Sequence, residues 1–382
     1  QILIMQTTHL FDQIICKYIK DQNIWDKFDA PKMSTALNKK IVKTVLDVTA
    51  KCQHSNNMLS ERCVQQRIDK IRKYRVVLKR LKGIPLIEQR TPEWYTLRES
   101  MITASDSGDA LAIANFGKET APHKIYEKKC GYEPPIEYDM ASIFLKWGVM
   151  FEPVATSLYE HRNNTTVHEF GLVQNPRHSF LGASPDGITD GGVMLEIKCP
   201  YKRVITEDSI LKQYYYQIQG QLDACDLEEC DFLEVRFDKY QNLEEFLEDY
   251  ETEFDSYTNS YNEKGIILER KDGSYQYSPF NHNRDSVIEW YQKNKHDTIN
   301  TVFWFLHSFT VKRVLKDPCF IDTMNKQLED VWTNIVKYRQ DKSLYMKEVK
   351  SSSTKTTKQK RQSSPVANHV GSMFVFDPNE NN

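Results

Sequence analysis

The chain has 382 residues, 40% hydrophobic and 12% aromatic, enough to bury a substantial core and too apolar for a disordered polypeptide. Lys and Arg number 51 against 53 Asp and Glu, so the net charge of −2 excludes a polycation and leaves nucleic-acid affinity to local patches. With 14 Gly and 14 Pro the sequence is neither collagen-like nor linker-dominated, and no run of about 18 apolar residues predicts a membrane span.

The sequence starts at Gln1, and Gln1–Met5 is apolar but short, with no basic leader and no small-residue cleavage site. A secretory signal is therefore not expected. The eight cysteines (Cys16, Cys52, Cys63, Cys130, Cys199, Cys225, Cys230 and Cys319) form no C-x-x-C pair. That suits reduced thiols in an intracellular protein better than a disulfide frame, zinc ribbon or iron–sulfur site. Neither H-E-x-x-H nor G-x-x-x-x-G-K-[ST] occurs, which disfavours a zinc protease or a P-loop motor.

Residues 1–85 are predicted to be a helical N-terminal region. Leu10, Ile14, Ile15, Tyr18 and Ile19 recur at helical spacing, as do Val42, Val45 and Leu46. Arg67, Lys70, Arg72, Lys73, Arg75, Lys79, Arg80 and Lys82 interleave with Ile71, Val76, Val77 and Leu81, giving an amphipathic helix with a cationic face. Residues 86–345 read as one α/β unit. At its start, Trp94, Leu97 and Arg98 share a helical turn, and Thr103-Ala104-Ser105-Asp106 is a helix-start signal. A helix N-terminus with a nearby arginine suits an anion, and Arg98 offers a bidentate phosphate clamp.

Gly148, Glu152, Ala155 and Tyr159 fall on one helical stripe, where a semi-buried Glu152 needs a partner such as a cation; Pro153 implies a kink or a first turn. The sharpest feature follows, from Phe180 to Pro200. Val193, Leu195 and Ile197 alternate with Met194, Glu196 and Lys198, so Glu196 and Lys198 share one face of a strand. Asp190-Gly191-Gly192 predicts a hairpin that folds Asp186 back beside Glu196. Two carboxylates and an ammonium then converge, the toolkit of metal-assisted phosphodiester hydrolysis. Downstream, Gln213, Gln217 and Gln221 repeat every four residues on one helix face. The stretch Asp226–Asp255 is strongly acidic, and residues 346–382 read as a basic disordered tail with a short apolar clip at Met373–Phe376.

These blocks in this order resemble the phage lambda exonuclease and YqaJ-type viral recombinase family of PD-(D/E)xK nucleases, which includes alkaline exonucleases of large DNA viruses. The matching pieces are Trp94…Arg98…Thr103-Ala104-Ser105, Trp147-Gly148…Glu152, Ser184-Pro185-Asp186-Gly187…Glu196-Ile197-Lys198 and Gln217-Ile218-Gln219. A fifth, Phe309–Arg313 through Trp332…Tyr338-Arg339, resembles the closing helices of eukaryotic-virus members.

The resemblance implies an α/β, restriction-endonuclease-like PD-(D/E)xK core, a mixed central sheet flanked by helices, here with a helical N-terminal extension. It implies a Mg²⁺-dependent DNA exonuclease with two ions and Mn²⁺ as a substitute, acting 5′→3′ on double-stranded ends in viral recombination, replication or repair. Asp186, Glu196, Glu152 and the Ile197 carbonyl would hold metal, Lys198 would handle the nucleophilic water, and Gln217 and Gln219 would support the site. Arg98, Ser105 and Ser184 would grip the 5′-terminal phosphate. In this context the basic helix Arg67–Lys82 is assigned to the duplex backbone. Double-stranded DNA is the expected partner, with a single-strand-annealing or replication protein as a second, in the host nucleus or a cytoplasmic virus factory. The alternatives are a structure-specific endonuclease on the same fold and a non-catalytic DNA-end-binding recombination scaffold.

Overall fold

The structure, a computed structural model, describes residues 2–52, 60–87, 89, 91–113, 123–132, 143–206, 209–250, 263–280 and 283–350. Helices α1 (Ile2–Asp21), α2 (Trp25–Asp29), α3 (Thr35–Cys52) and α4 (Glu61–Lys82) open the chain. They bury Phe11, Ile15, Ile19, Phe28, Val45, Ile68 and Ile71 against one another, the apolar stripes read from the sequence. Ser60 starts α4 by accepting the Cys63 amide.

Next come α5 (Pro92–Glu99), β1 (Ile102–Thr103), a 3₁₀ turn (Ala104–Asp106), α6 (Ser107–Ala110), α7 (His123–Cys130) and α8 (Ile143–Asn163). Pro153 neither starts nor ends α8, which continues through it with the proline on an exposed position. Strands β2 (Val167–His168), β3 (Val173–Gln174), β4 (Leu181–Ala183), β5 (Gly187–Thr189) and β6 (Met194–Lys198) lead into α9 (Lys212–Cys225). The remainder is β7 (Glu229–Lys239), α10 (Leu243–Glu248), β8 (Lys264–Arg270), β9 (Tyr275–Tyr277), α11 (Arg284–Asn294), β10 (Thr298–Leu315), α12 (Pro318–Gln340) and α13 (Lys342–Tyr345).

The main sheet has seven strands in the order β2-β5-β6-β7-β10-β8-β9. It is mixed: β6 and β7 run parallel, joined through α9, while β5–β6, β7–β10 and β10–β8 are antiparallel. A small sheet, β1-β4-β3, carries the strand before the 3₁₀ turn. Because β6 is covered on both sides, its two faces enter different cores. Leu195 and Ile197 pack with Phe151, Val154 and Leu158 of α8; Met194 packs with Ile218 and Leu222 of α9 and with Leu78 and Leu81 of α4. This is the helix-flanked mixed sheet expected, with the helical extension sharing a core with it.

Two assignments change. Phe309–Arg313 lies in β10, not in a helix: its residues alternate across a ladder with β7, a period of two that an isolated reading of five residues does not separate from a helix. The basic residues of α4 divide: Arg67, Arg72 and Arg75 are turned into the fold, while Lys70, Lys73, Lys79, Arg80 and Lys82 stay exposed. Arg67 pairs with Asp12 and with Glu229 at 2.5 Å, Arg75 with Asp29 at 2.6 Å and the Asp190 carbonyl at 2.5 Å, Lys79 with Asp29 at 3.0 Å, and Arg72 with the Phe28 carbonyl at 2.9 Å. The segregated charges of the sequence thus meet each other, basic α4 against the acidic start of β7.

Arg313 of β10 completes the hub by pairing with Asp231 at 2.5 Å and with Glu229. Burial alone would raise the pKa of Glu229 and Asp231, but Arg67 and Arg313 hold Glu229 at about 2, and Arg313 holds Asp231 at about 2. The folded values lie below the unfolded ones, so this stabilisation is complete above the ordinary carboxylate range and is lost as pH falls toward about 2. Arg67→Ala leaves Asp12 and Glu229 short of a buried partner and is expected to cost about 3–5 kcal/mol. Urea unfolding of both proteins at neutral pH checks this, and a loss below about 1 kcal/mol contradicts it.

Met346–Lys350 form a π-helical turn in which Glu348 accepts from Lys337 at 2.8 Å and Tyr338 at 3.1 Å. These are the first residues of the segment read as a disordered tail; its continuation, including Met373–Phe376, lies outside the described residues. Among the described residues no helix is long and apolar enough to cross a membrane.

Candidate active site

The hairpin forms as the sequence predicts. Gly187 pairs with Leu195 and Ile188 with Met194, which sets Asp186 opposite Glu196. Gly192 takes φ +77° in the turn, and a Cβ there would lie 2.6 Å from the Tyr74 Cβ, so both conformation and the closeness of α4 demand glycine. Asp186 Oδ2 accepts the Ile197 amide at 2.7 Å.

Glu196 is fully buried on a central strand and is held from three sides. Its Oε1 accepts from Lys198 Nζ and, at 2.7 Å, from Gln217 Nε2; its Oε2 accepts from Gln221 Nε2 at 2.7 Å. The Lys198 ammonium lies 5.1 Å from the centre of the Tyr214 ring. Burial, then the charges of Glu196 and Glu152, push Asp186 well above the ordinary carboxylate range. Burial would lower the Lys198 pKa, but Glu196 and Asp186 outweigh it and keep the ammonium charged.

Beside this hairpin opens a cleft of about 250 Å³ lined by Gly148, Glu152, Ile197, Lys198, Arg203 and Tyr214. Glu152 reaches it from α8. Among the described residues, no three His, Cys, Asp or Glu side chains close into a metal cage by themselves. The all-oxygen donor set still fits a hard cation, since Mg²⁺ takes one or two carboxylates and fills its other positions with water and substrate phosphate. The burial and the Glu196 and Glu152 charges that push Asp186 up are what a bound cation would relieve.

The glutamines divide differently from the expectation. Gln217 reaches Glu196, but Gln219 does not enter the site: it donates to the Leu315 carbonyl at 2.9 Å and accepts the Asp317 amide at 2.8 Å, tying α9 to the start of α12. The reason is helical phase, because residues 217 and 221 lie on one face and residue 219 about 200° away from 217. Gln221 was visible in the four-residue glutamine repeat but was not among the expected site residues.

Arg98 stacks over Trp94, 4.4 Å from the ring centre, and donates to Ser105 Oγ at 3.0 Å. Asp106 beneath them accepts the Thr103 amide and hydroxyl at 3.1 and 2.7 Å and pairs with Lys128 and Lys129 at 2.7 and 2.8 Å. Burial would raise the Asp106 pKa, but Lys129, Lys128 and Arg98 hold it far below the ordinary range, while burial lowers Lys129 to about 8. Three cations around one carboxylate leave a net positive cluster beside the exposed Ser105 hydroxyl. The expected helix N-terminus contributes little: Ala104–Asp106 is a single 3₁₀ turn, and α6 after it has four residues.

Ser184 connects the two halves. Its Oγ accepts from Trp94 Nε1 at 3.2 Å, and its carbonyl accepts from Gln221 at 3.4 Å. The close approach of α9 to the 3₁₀ turn depends on Gly220, where a Cβ would lie 3.1 Å from that of Ala104.

Residues 93–228, which include Arg98, Ser105, Glu152, Ser184, Asp186, Glu196, Lys198, Gln217 and Gln221, match the family model described as the YqaJ-like viral recombinase domain. An uncharacterized protein of Acanthamoeba polyphaga mimivirus is 29% identical over 307 residues, 68% of this chain and 54% of that protein, so the chain spans about half the length of the curated relative it matches. Similar solved structures include an alkaline exonuclease from Laribacter hongkongensis (18% identity, 68% of this chain, 99% of that chain, TM-score 0.41). Another is a complex of the KSHV protein SOX with RNA (11% identity, 86% of this chain, 94% of that chain, TM-score 0.35).

Proposed function

We propose that this chain, whose residues 93–228 form a YqaJ-like viral recombinase domain, is a Mg²⁺-dependent deoxyribonuclease that degrades double-stranded DNA from its 5′ ends. The observation that carries this reading is the Asp186–Glu196–Lys198 constellation beside a cleft whose lining includes Lys198 and, from α8, Glu152. Asp186 and Glu196 are the protein ligands for metal, with Glu152 as the outlying carboxylate and the Ile197 carbonyl as a further oxygen. When bound, Mg²⁺ supplies charge stabilisation at the scissile phosphate and acidifies a water, and Mn²⁺ substitutes for it.

The side chains perform the rest. Lys198, anchored by Glu196 and covered by Tyr214, holds an Nζ proton toward the attacking water and the phosphate oxygens. Gln217 keeps Glu196 oriented without adding charge. Duplex affinity comes from the cleft and the cluster at Arg98, with the exposed Lys70, Lys73 and Lys82 of α4 adding positive field for the phosphate backbone, since Arg67, Arg72 and Arg75 already have internal partners.

Arg98 and Ser105 form the terminal-phosphate site, with Lys128 and Lys129 adding positive field and Ser184 linking this site to the catalytic hairpin. The expected place of action is an infected cell, in processing viral DNA ends for recombination, replication or repair. A charged hydrogen bond of about 1.5–3 kcal/mol corresponds to about a 10- to 150-fold rate preference for 5′-phosphate over 5′-hydroxyl ends. Arg98→Ala is expected to erase that preference without abolishing cleavage. Single-turnover digestion of the two substrates tests the assignment: no preference in the wild type removes the 5′-end reading, and an undiminished preference in the variant makes Arg98 a structural arginine.

A further inference from the structure

We infer that Gln221 is a positioning residue for the metal carboxylates, setting which oxygen of Glu196 is presented and tying it to the segment that carries Asp186. The inference rests on the metal-dependent reading above. A carboxylate has two lone-pair sites on each oxygen. On Glu196, Oε1 takes two donors, Lys198 and Gln217. Oε2 takes one donor among the described residues, Gln221. The oxygen with capacity left for a cation is therefore Oε2, and Gln221 is the group that aims it.

The same amide nitrogen also donates to the Ser184 carbonyl at 3.4 Å, two residues before Asp186. One side chain on α9 thus joins the strand bearing one carboxylate to the segment bearing the other. Gln221 is itself buried, and its Oε1 is without a hydrogen-bond partner among the described residues. Its amide cannot be turned over, because the oxygen would then face the Glu196 carboxylate. An unpartnered buried acceptor costs stability, so its retention here agrees with a role other than packing.

Outer-shell partners of metal ligands change metal affinity by about 10- to 100-fold when removed. Calorimetric titration of the full chain with Mn²⁺, without DNA, is the direct readout, with thermal melting to follow the fold. Gln221→Met, of similar length and without donors, is expected to bind Mn²⁺ about 10-fold or more weakly. Gln221→Glu, which keeps the shape, is expected to weaken it as well because its carboxylate has no donor for Oε2. Gln219→Leu serves as the control: it lowers the melting temperature through the lost α9–α12 bridge and leaves Mn²⁺ affinity unchanged.

Wild-type affinity in both folded Gln221 variants overturns the inference, and so does loss of the fold in both, which would make Gln221 a structural residue. Absence of Mn²⁺ binding by the wild type would instead overturn the metal-dependent reading itself.

Discussion

Asp186→Asn is expected to reduce DNA cleavage by about 1000-fold or more while making the metal-free protein more stable. The first effect follows from removing a charged ligand where an electrostatic contact alone is worth about 100- to 1000-fold. The second follows from the field around Asp186: it is buried, and Glu196 and Glu152 repel its negative charge. An amide of the same shape removes that repulsion, the usual trade between stability and activity at a catalytic site. Duplex binding in Ca²⁺ should survive, because Ca²⁺ suits binding better than the strict geometry of cleavage. A variant with lower metal-free melting temperature than wild type would show that the carboxylates are not in conflict, and full activity would remove Asp186 from the metal site.

Lys198→Arg is expected to lose about 100-fold or more of the rate, within the range of general acid–base catalysis. Arginine keeps the positive charge near Glu196, but its planar fork does not reproduce a compact ammonium between Glu196 and the Tyr214 ring that points a proton at the water and phosphate oxygens. Single-turnover rates at saturating Mg²⁺ measure this. A variant retaining most of the wild-type rate would reduce Lys198 to an electrostatic clamp.

The hairpin that carries Asp186 and Glu196 was legible because its information is local. Period-two alternation from Val193 to Lys198 and the Asp190-Gly191-Gly192 turn together fix which side chains meet, and Asp186 lands opposite Glu196 as the spacing requires. The helical stripe with Glu152 was legible for the same reason, although Pro153 sits within α8 rather than at its start. What escaped the sequence depends on contacts made across the chain. The cationic face of α4 has the pattern of a nucleic-acid helix, yet Arg67 meets Glu229 across 162 positions, and only the fold reveals that partner. Gln219 was placed in the site by motif position, but helical phase carries it to Leu315 and Asp317 and brings Gln221 to Glu196 instead. Asp106 and the two lysines on it were hidden likewise, since α7 supplies Lys128 and Lys129 to a carboxylate on the 3₁₀ turn.

The central claim is that the Asp186–Glu196–Lys198 cluster hydrolyses DNA with a bound divalent cation, starting from an end. A time course on a uniformly labelled linear duplex, resolved by product length, addresses it directly when wild type and Asp186→Asn are run side by side in Mg²⁺ and in excess EDTA. Mononucleotides accumulating from the earliest times, only with wild type and only in Mg²⁺, is the predicted result. Discrete internal fragments would indicate an endonuclease, and equal degradation by wild type and variant, or degradation undiminished in EDTA, would contradict the account.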